Sequence, residues 1–235
     1  MLNSRVLNKV GLCALTAPGA ALCYQRIVSR SHQVFGDSNN PNVVIYHPNV
    51  VDIKRAVMKS DWDEVANLIL TSISELEKCG VDCVAIPVNT VHFSIDKIIK
   101  KSNITVFDRL EVVSNYTKDS DYKKVLIIGT NSTTSGLYTE RLTSVGVQEI
   151  VPDREDCELI HNIIFNHLLP MVDLEIARTL LMNVINRYKS DCDTIVLACT
   201  ELPLVLNSEN CQIPVINTTE VLADAIVSYV EASQN

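Results

Sequence analysis

Two small α/β domains of similar build, each an open parallel sheet flanked by helices, are what this sequence predicts. Three observations carry the prediction. Short β-branched apolar runs alternate with helical patterns along the chain, as right-handed βαβ units require. The clearest run, KKVLIIG at Lys123–Gly129, is continuously apolar, which suits a strand buried on both faces. The chain also resembles itself. VDCVAIPVNTVHF (Val81 to Phe93) and TIVLACTELPLVL (Thr194 to Leu206) each end an apolar run in small polar residues ahead of a helical pattern. Such a repeat places the carboxyl ends of both sets of strands on a shared cleft. One continuous doubly wound sheet is the alternative arrangement.

The elements follow in order. Lys9 to Leu15 reads as a buried strand, turned by Ala17-Pro18-Gly19 into a helix from Ala20 to Gln33. Phe35 to Asn42 is a polar loop, and Val43 to Tyr46 a second strand closed by His47-Pro48-Asn49. Trp62 to Cys79 is strongly periodic: Val65, Leu68, Ile69, Ile73 and Leu76 share one face, and Gly80 stops the helix. Asp82 to Val88 is the third strand, with a helix over Ser94 to Lys101. Ile104 to Val106 is strand-like and leads into a helix through Val112 and Tyr116. After Lys123–Gly129 come the polar break Thr130–Ser135, a helix from Leu137 to Val145 and a short strand at Glu149 to Pro152. A long helical region, Glu155 to Lys189, is interrupted near Pro170. Thr194 to Ala198 is a strand with a short helix from Thr200. Pro214 to Asn217 is the last strand, and Thr219 to Ala232 the closing helix, expected to return to the first half. The predicted first domain is 1–102 plus 207–235, and the second 103–206.

Composition limits the partners. The chain of 235 residues is long enough for a well-buried core, and its hydrophobic content of 47% is that of a globular protein. A net charge of −8 argues against a nucleic-acid surface, which needs clustered Lys and Arg. No apolar run approaches the roughly 20 residues that span a bilayer. The N-terminus is basic and then apolar, but Pro18 and Gly19 break it, so it fits a first strand and turn better than a cleaved leader. The eight cysteines are scattered and lack CxxC pairing, which disfavours zinc and disulfide scaffolds and fits a reducing, cytoplasmic location. No metal site is expected.

Chemistry is expected at the two strand ends. Cys199 lies where a strand hands over to a predicted helix, whose N–H groups and partial positive charge favour a thiolate. The simpler reading of Cys199 is a buried small residue. Asn89 and Thr90, after Val88, form a turn suited to a carboxylate, with N-capping as the alternative. Thr130 to Ser135 is a third such turn. His92 is either a proton carrier or a packing residue, and Glu201 a cap or a supporting group.

Taken in order, VNTVH, GTNSTTSGLY and LACTELPLV resemble the motifs of the aspartate/glutamate racemase superfamily. Its members carry Cys-Asn-Thr, Thr-x-x-Thr…Ser-Gly-x-Tyr and Gly-Cys-Thr-Glu/His after successive strands. APGAALCYQRI and YHPNVVDI resemble its first turn and its His-Pro…Asp segment, so the likeness runs along nearly the whole chain. The resemblance implies two pseudo-symmetric flavodoxin-like domains with the active site in the cleft between them, no cofactor, a small carboxylate-bearing substrate and a homodimer. By motif, Cys199 inherits one acid/base role, and Asn89, Thr90, Thr130, Thr133 and Thr200 inherit substrate binding. The sequence departs from the pattern at Val88, where the first catalytic cysteine is expected. It departs again at Ala14-Leu15-Thr16, which stands for Gly-Gly-Met, and at Ile53, which replaces an arginine.

Three functions fit this pattern. The first is a cofactor-independent racemase or epimerase with Cys199 as its single thiol and His92, Thr90 or water as relay on the Val88 side. The second is a one-cysteine lyase like the arylmalonate decarboxylases. The third is a catalytically silent homologue that binds a small acid or a protein partner.

Overall fold

The computed structural model describes residues 8–36 and 39–234. The first seven residues of the basic N-terminus, Asp37 and Ser38 of the predicted polar loop, and Asn235 lie outside the described residues. The chain divides into two compact units: one runs up to Arg109 and resumes at Leu222, and the other is Leu110–Val221.

The first unit holds four strands, β1 (Val10–Cys13), β2 (Val43–Tyr46), β3 (Cys83–Ala85) and β4 (Thr105–Val106). All pair in parallel in the order β2-β1-β3-β4. One face of the sheet packs Val10, Leu12, Cys83 and Ala85 against Cys23 and Ile27 of the helix Ala17–Phe35. Leu222, Ala223, Ile226, Val227 and Val230 of the helix Thr218–Ala232 complete that core. On the other face Gly11 lets the helix Trp62–Lys78 come close, because a Cβ there would meet Leu76 at 3.3 Å and Val84 at 3.0 Å. The helix is entered through Asp61, whose side chain accepts from the Glu64 N–H. It buries Val65, Ile69, Ile73 and Leu76, the apolar face predicted for it.

The second unit repeats the plan. Strands β5 (Lys124–Ile128), β6 (Gln148–Ile150), β7 (Thr194–Leu197) and β8 (Val215–Asn217) are again all parallel, in the order β6-β5-β7-β8. Leu126, Ile128, Ile195 and Leu197 bury one sheet face in a core with Ile160 and Ile163 of the helix Arg154–Ile163 and Leu181, Val184 and Ile185 of the helix Leu174–Tyr188. Between these helices a π-helical turn, Ile164–Leu168, precedes the break at Pro170. The Asp156 carboxylate, held by Arg187 and by the Tyr188 hydroxyl at 2.9 Å, ties the start of one helix to the end of the other.

The repeat extends to single side chains. Asp82, just before β3, accepts from the Lys9 N–H at 2.6 Å, and Asp193, just before β7, accepts from Lys123 and Lys124 N–H at 2.7 and 2.8 Å. In each unit an aspartate at the foot of the third strand closes the amino end of the first.

Several predicted boundaries move. β4, assigned by expectation to the second domain, pairs with β3 through Val84↔Val106 and belongs to the first sheet. β8, expected in the first domain, pairs with β7 through Leu197↔Asn217 and belongs to the second. In both places long-range pairing assigns a strand too short to announce its sheet. The third strand ends at Ala85 and not Val88, because Pro87 has no N–H to continue a ladder. A helix at Val51–Met58 follows His47-Pro48-Asn49 and has no counterpart in the predicted elements.

Asp193 supplies a test. Its backbone donors hold its carboxyl below the usual carboxylate range. The resulting stability is therefore present above an unfolded value near about 4 and is lost as pH falls through the lower folded one. Because the side chain is exposed, Asp193→Ala is expected to cost at most about 1 kcal/mol at neutral pH. The gap to wild type should shrink in denaturant titrations below about pH 3.

Candidate active site

In each sheet the chain winds outward from the first strand and then crosses back over it to form the third. The adjacent carboxyl ends of β1 and β3, and those of β5 and β7, are therefore topological switch points, where open α/β sheets take their ligands. The predicted site residues fall at these points. In the first unit Ala14–Thr16 follow β1 and Val88–Thr90 follow β3; in the second, Thr130–Thr133 follow β5 and Cys199–Glu201 follow β7. Asn89, Thr90 and His92 thus belong to one unit, and Thr130, Thr133, Cys199 and Thr200 to the other.

At the second switch point the two strand ends lie side by side. The Ala198 N–H donates to the Ile128 carbonyl at 2.8 Å, and a Cβ on Gly129 would sit 3.0 Å from the Ala198 carbonyl oxygen. Only glycine lets the Thr130 turn approach the Cys199 turn this closely. Thr130 opens a single turn, Asn131–Thr134, in which its carbonyl accepts from the Thr133 and Thr134 N–H groups at 2.8 and 3.0 Å. Its side chain caps nothing; Thr130 Oγ1 lies 3.3 Å from the Oγ1 of the fully buried Thr133.

Cys199 is half-buried, and the structure corrects the expectation of a helix behind it. Thr200 and Glu201 form a turn, followed only by the 3₁₀ segment Leu202–Leu204, which starts around Pro203. No α-helix therefore starts directly behind the thiol. Its partner is a carboxylate: Cys199 Sγ lies 3.0 Å from Glu201 Oε2, and the Thr200 hydroxyl donates to the same oxygen at 2.8 Å. Glu201 is 6% exposed, and its Oε1 is buried without a hydrogen-bond partner among the described residues. Glu201 is therefore no helix cap. The sequence signal for this role was its position two residues after the cysteine.

At the first switch point Val88 is half-buried, and the segment after it is a 3₁₀ turn, Thr90–Ser94, with Asn89 buried at its entry. Asn89 makes no side-chain cap bond to that turn, which removes simple N-capping as the account of it. His92 is 2% exposed, with Nδ1 at 2.8 Å from the Val88 carbonyl oxygen. Burial, with the Arg109 guanidinium adding to it, pushes the imidazole down to about 4; Asp108 and the carbonyls of Val88 and Asn89 act the other way. Arg109 is fully buried just after β4, and the sequence reading passed over it because no periodic pattern marks it. Thr16 Oγ1 is buried and without a hydrogen-bond partner among the described residues.

None of the eight cysteines forms a disulfide. Burial pushes the thiols of Cys13, Cys23 and Cys83 up to about 12, so these three are inert packing groups. Among the described residues no group of His, Cys, Asp and Glu is disposed to hold a metal ion, and no helix is long and apolar enough to cross a membrane.

Residues 15–226 match the Asp/Glu/hydantoin racemase family. The chain belongs to this family. The broad specificity amino-acid racemase RacX of Bacillus subtilis is 24% identical over 233 residues, covering 96% of this chain and 100% of that one. Among solved structures, the Picrophilus torridus aspartate racemase is 25% identical at a TM-score of 0.78, over 95% of this chain and 94% of that one. An aspartate racemase homologue from Pyrococcus horikoshii superposes at 0.85, with 22% identity over 96% and 100% of the two chains. These likenesses run through both units, and family membership accounts for the paired switch points.

The close approach at Gly129 is testable. Gly129→Ala is expected to cost about 1–3 kcal/mol, since the backbone oxygen facing the new methyl cannot give way as a side chain would. Denaturant titration measures the loss, and alkylation of Cys199 should change in rate as the Thr130 turn moves.

Proposed function

We propose that this protein is a cofactor-independent amino-acid racemase or epimerase, an isomerase acting at the carbon next to a carboxylate on aspartate- or glutamate-like substrates. The observation that carries the proposal is the Cys199–Glu201 pair at the carboxyl end of β7, beside the Thr130 turn. Family membership supports the reaction class.

An α-hydrogen beside a carboxylate is very weakly acidic, so the protein has to accept the proton and stabilise the charge left on carbon. Cys199 and Glu201 hold one mobile proton between them: a thiol facing a carboxylate in one form, a thiolate facing a carboxylic acid in the other. In the thiolate form sulfur takes the α-proton. The C–H bond breaks, an S–H bond forms, and the electron pair passes to the substrate carbon and its carboxylate. Hydroxyls of Thr130, Thr133 and Thr200, with Asn89 and Thr90, are proposed to bind the substrate's polar groups and carry that charge electrostatically. The Thr200 hydroxyl, already donating to Glu201, steadies the carboxylate between the two forms.

Val88 stands in the place expected for a second cysteine, and its isopropyl group neither takes nor gives a proton. On that side we assign proton delivery to water held near the half-buried Thr90. A cytoplasmic location, supported by eight cysteines without a disulfide, and a homodimer, carried over from the family resemblance, belong to the same reading.

Loss of the α-proton signal of aspartate, glutamate and other amino acids in D₂O tests the reading. Exchange with inversion is the expected result. Release of CO₂ from a malonate-type acid without amino-acid exchange would replace the isomerase with a lyase. Cys199→Ala should lower exchange by at least about 100-fold, and Glu201→Gln, which still accepts hydrogen bonds but cannot store the proton, by about 10–100-fold. If Val88 alone limits the second face, Val88→Cys should raise the rate.

A further inference from the structure

We propose that His92 is a positioning residue, whose Nδ1–H holds the Val88 carbonyl and so fixes the turn that presents Asn89 and Thr90. The inference rests on the reading of those two side chains as substrate-binding groups.

The turn lies beyond the sheet ladder. β3 has ended at Ala85, Pro87 offers no N–H, and Asn89 makes no side-chain cap bond. Its backbone bonds include Val88 N–H to the Ile86 carbonyl at 2.8 Å and His92 N–H to the Asn89 carbonyl at 2.9 Å. The imidazole adds a longer tie, from position 92 back to the Val88 carbonyl at 2.8 Å. A carbonyl oxygen only accepts, so Nδ1 carries the hydrogen, and in a neutral ring Nε2 is then the bare nitrogen. Nε2 is buried and has no hydrogen-bond partner among the described residues.

The segment bearing His92 is itself anchored. The Ser94 hydroxyl donates to the Trp62 carbonyl at 2.7 Å, and the Phe93 ring stacks on Trp62 at 4.7 Å between centroids. Both contacts fasten it to the helix Trp62–Lys78. His92 therefore transmits the position of a rigid helix to a turn that has no ladder of its own. A relay would need a ring that takes a proton on one nitrogen and gives one from the other. Here Nδ1 faces a carbonyl, which takes no proton, and burial with Arg109 nearby disfavours the charged ring.

The chosen variants separate position from proton transfer. In His92→Asn the side-chain amide N–H occupies the place of Nδ1–H, whereas His92→Leu has no donor. With an amino acid that the wild type turns over, His92→Leu should raise KM about tenfold or more, and His92→Asn should keep KM and kcat within about threefold of wild type. A His92→Asn protein that binds substrate normally but has lost kcat would make His92 a relay and overturn the proposal; so would an unchanged KM in His92→Leu. Two readouts need neither turnover nor the leucine variant. In ¹⁵N NMR of the unliganded protein, His92 should be the neutral Nδ1–H tautomer from about pH 6 to 8, and an Nε2–H tautomer or an imidazolium there overturns the proposal. Amide exchange at Asn89 and Thr90 should be no faster in His92→Asn than in wild type, and acceleration there overturns it too. If the wild type exchanges no amino-acid α-proton, the isomerase reading fails, while the NMR and amide-exchange results still decide the role of His92.

Discussion

A parallel strand buried on both faces has one exit, its carboxyl end, and everything chemical in this protein depends on that restriction. β5 and β7 are covered by side chains along their length, so polar groups can gather only where the strands stop. Because β6 lies on the far side of β5 from β7, the connections leaving those two central strands diverge and leave their ends uncovered. The same winding in the first unit uncovers the ends of β1 and β3. The polar residues Thr16, Asn89, Thr130 and Thr200 follow these four ends.

The Cys199–Glu201 contact shows how much two residues of spacing can do. Had an α-helix followed β7 directly, the thiol would have faced backbone N–H groups and a partial positive charge. Pro203 and the short 3₁₀ segment instead fold the chain tightly, and a carboxylate two residues on comes within 3.0 Å of the sulfur. Under the proposed reading, acid/base chemistry resides in this pair of side chains and not in one thiol. Thr200 joins the pair through its bond to Glu201. The first unit has a different character at its switch point: an apolar Val88, an amide, a hydroxyl and a sequestered imidazole.

Much of this was legible in the sequence wherever one local signal sufficed. Trp62–Lys78 has a regular apolar face, a capping aspartate and a glycine stop, and every one of those signals points to the same helix. Lys124–Ile128 is continuous, β-branched and bounded by polar residues. The place of Cys199 just after a strand was legible because its apolar run breaks there into small polar residues. What could not be read depended on distant partners. Two residues at Thr105–Val106 do not say which sheet they join; Cys83 and Val84 do. Glu201 read as a helix cap or a supporting group because the tight turn around Pro203 cannot be told locally from a helix start. The buried Arg109 gave no signal, since a charge beside a strand end is ordinarily solvated.

The helix Thr218–Ala232 begins in the second unit, and from Leu222 its side chains fill the core of the first. Order of synthesis and order of completion therefore run opposite ways. Residues up to Arg109 leave the ribosome first, yet their sheet lacks Leu222, Ala223, Ile226, Val227 and Val230 until the end of the chain emerges. The half made second is contiguous and can close on itself earlier. A nascent chain of this protein carries an unfinished apolar sheet face until the residues from Leu222 onward emerge.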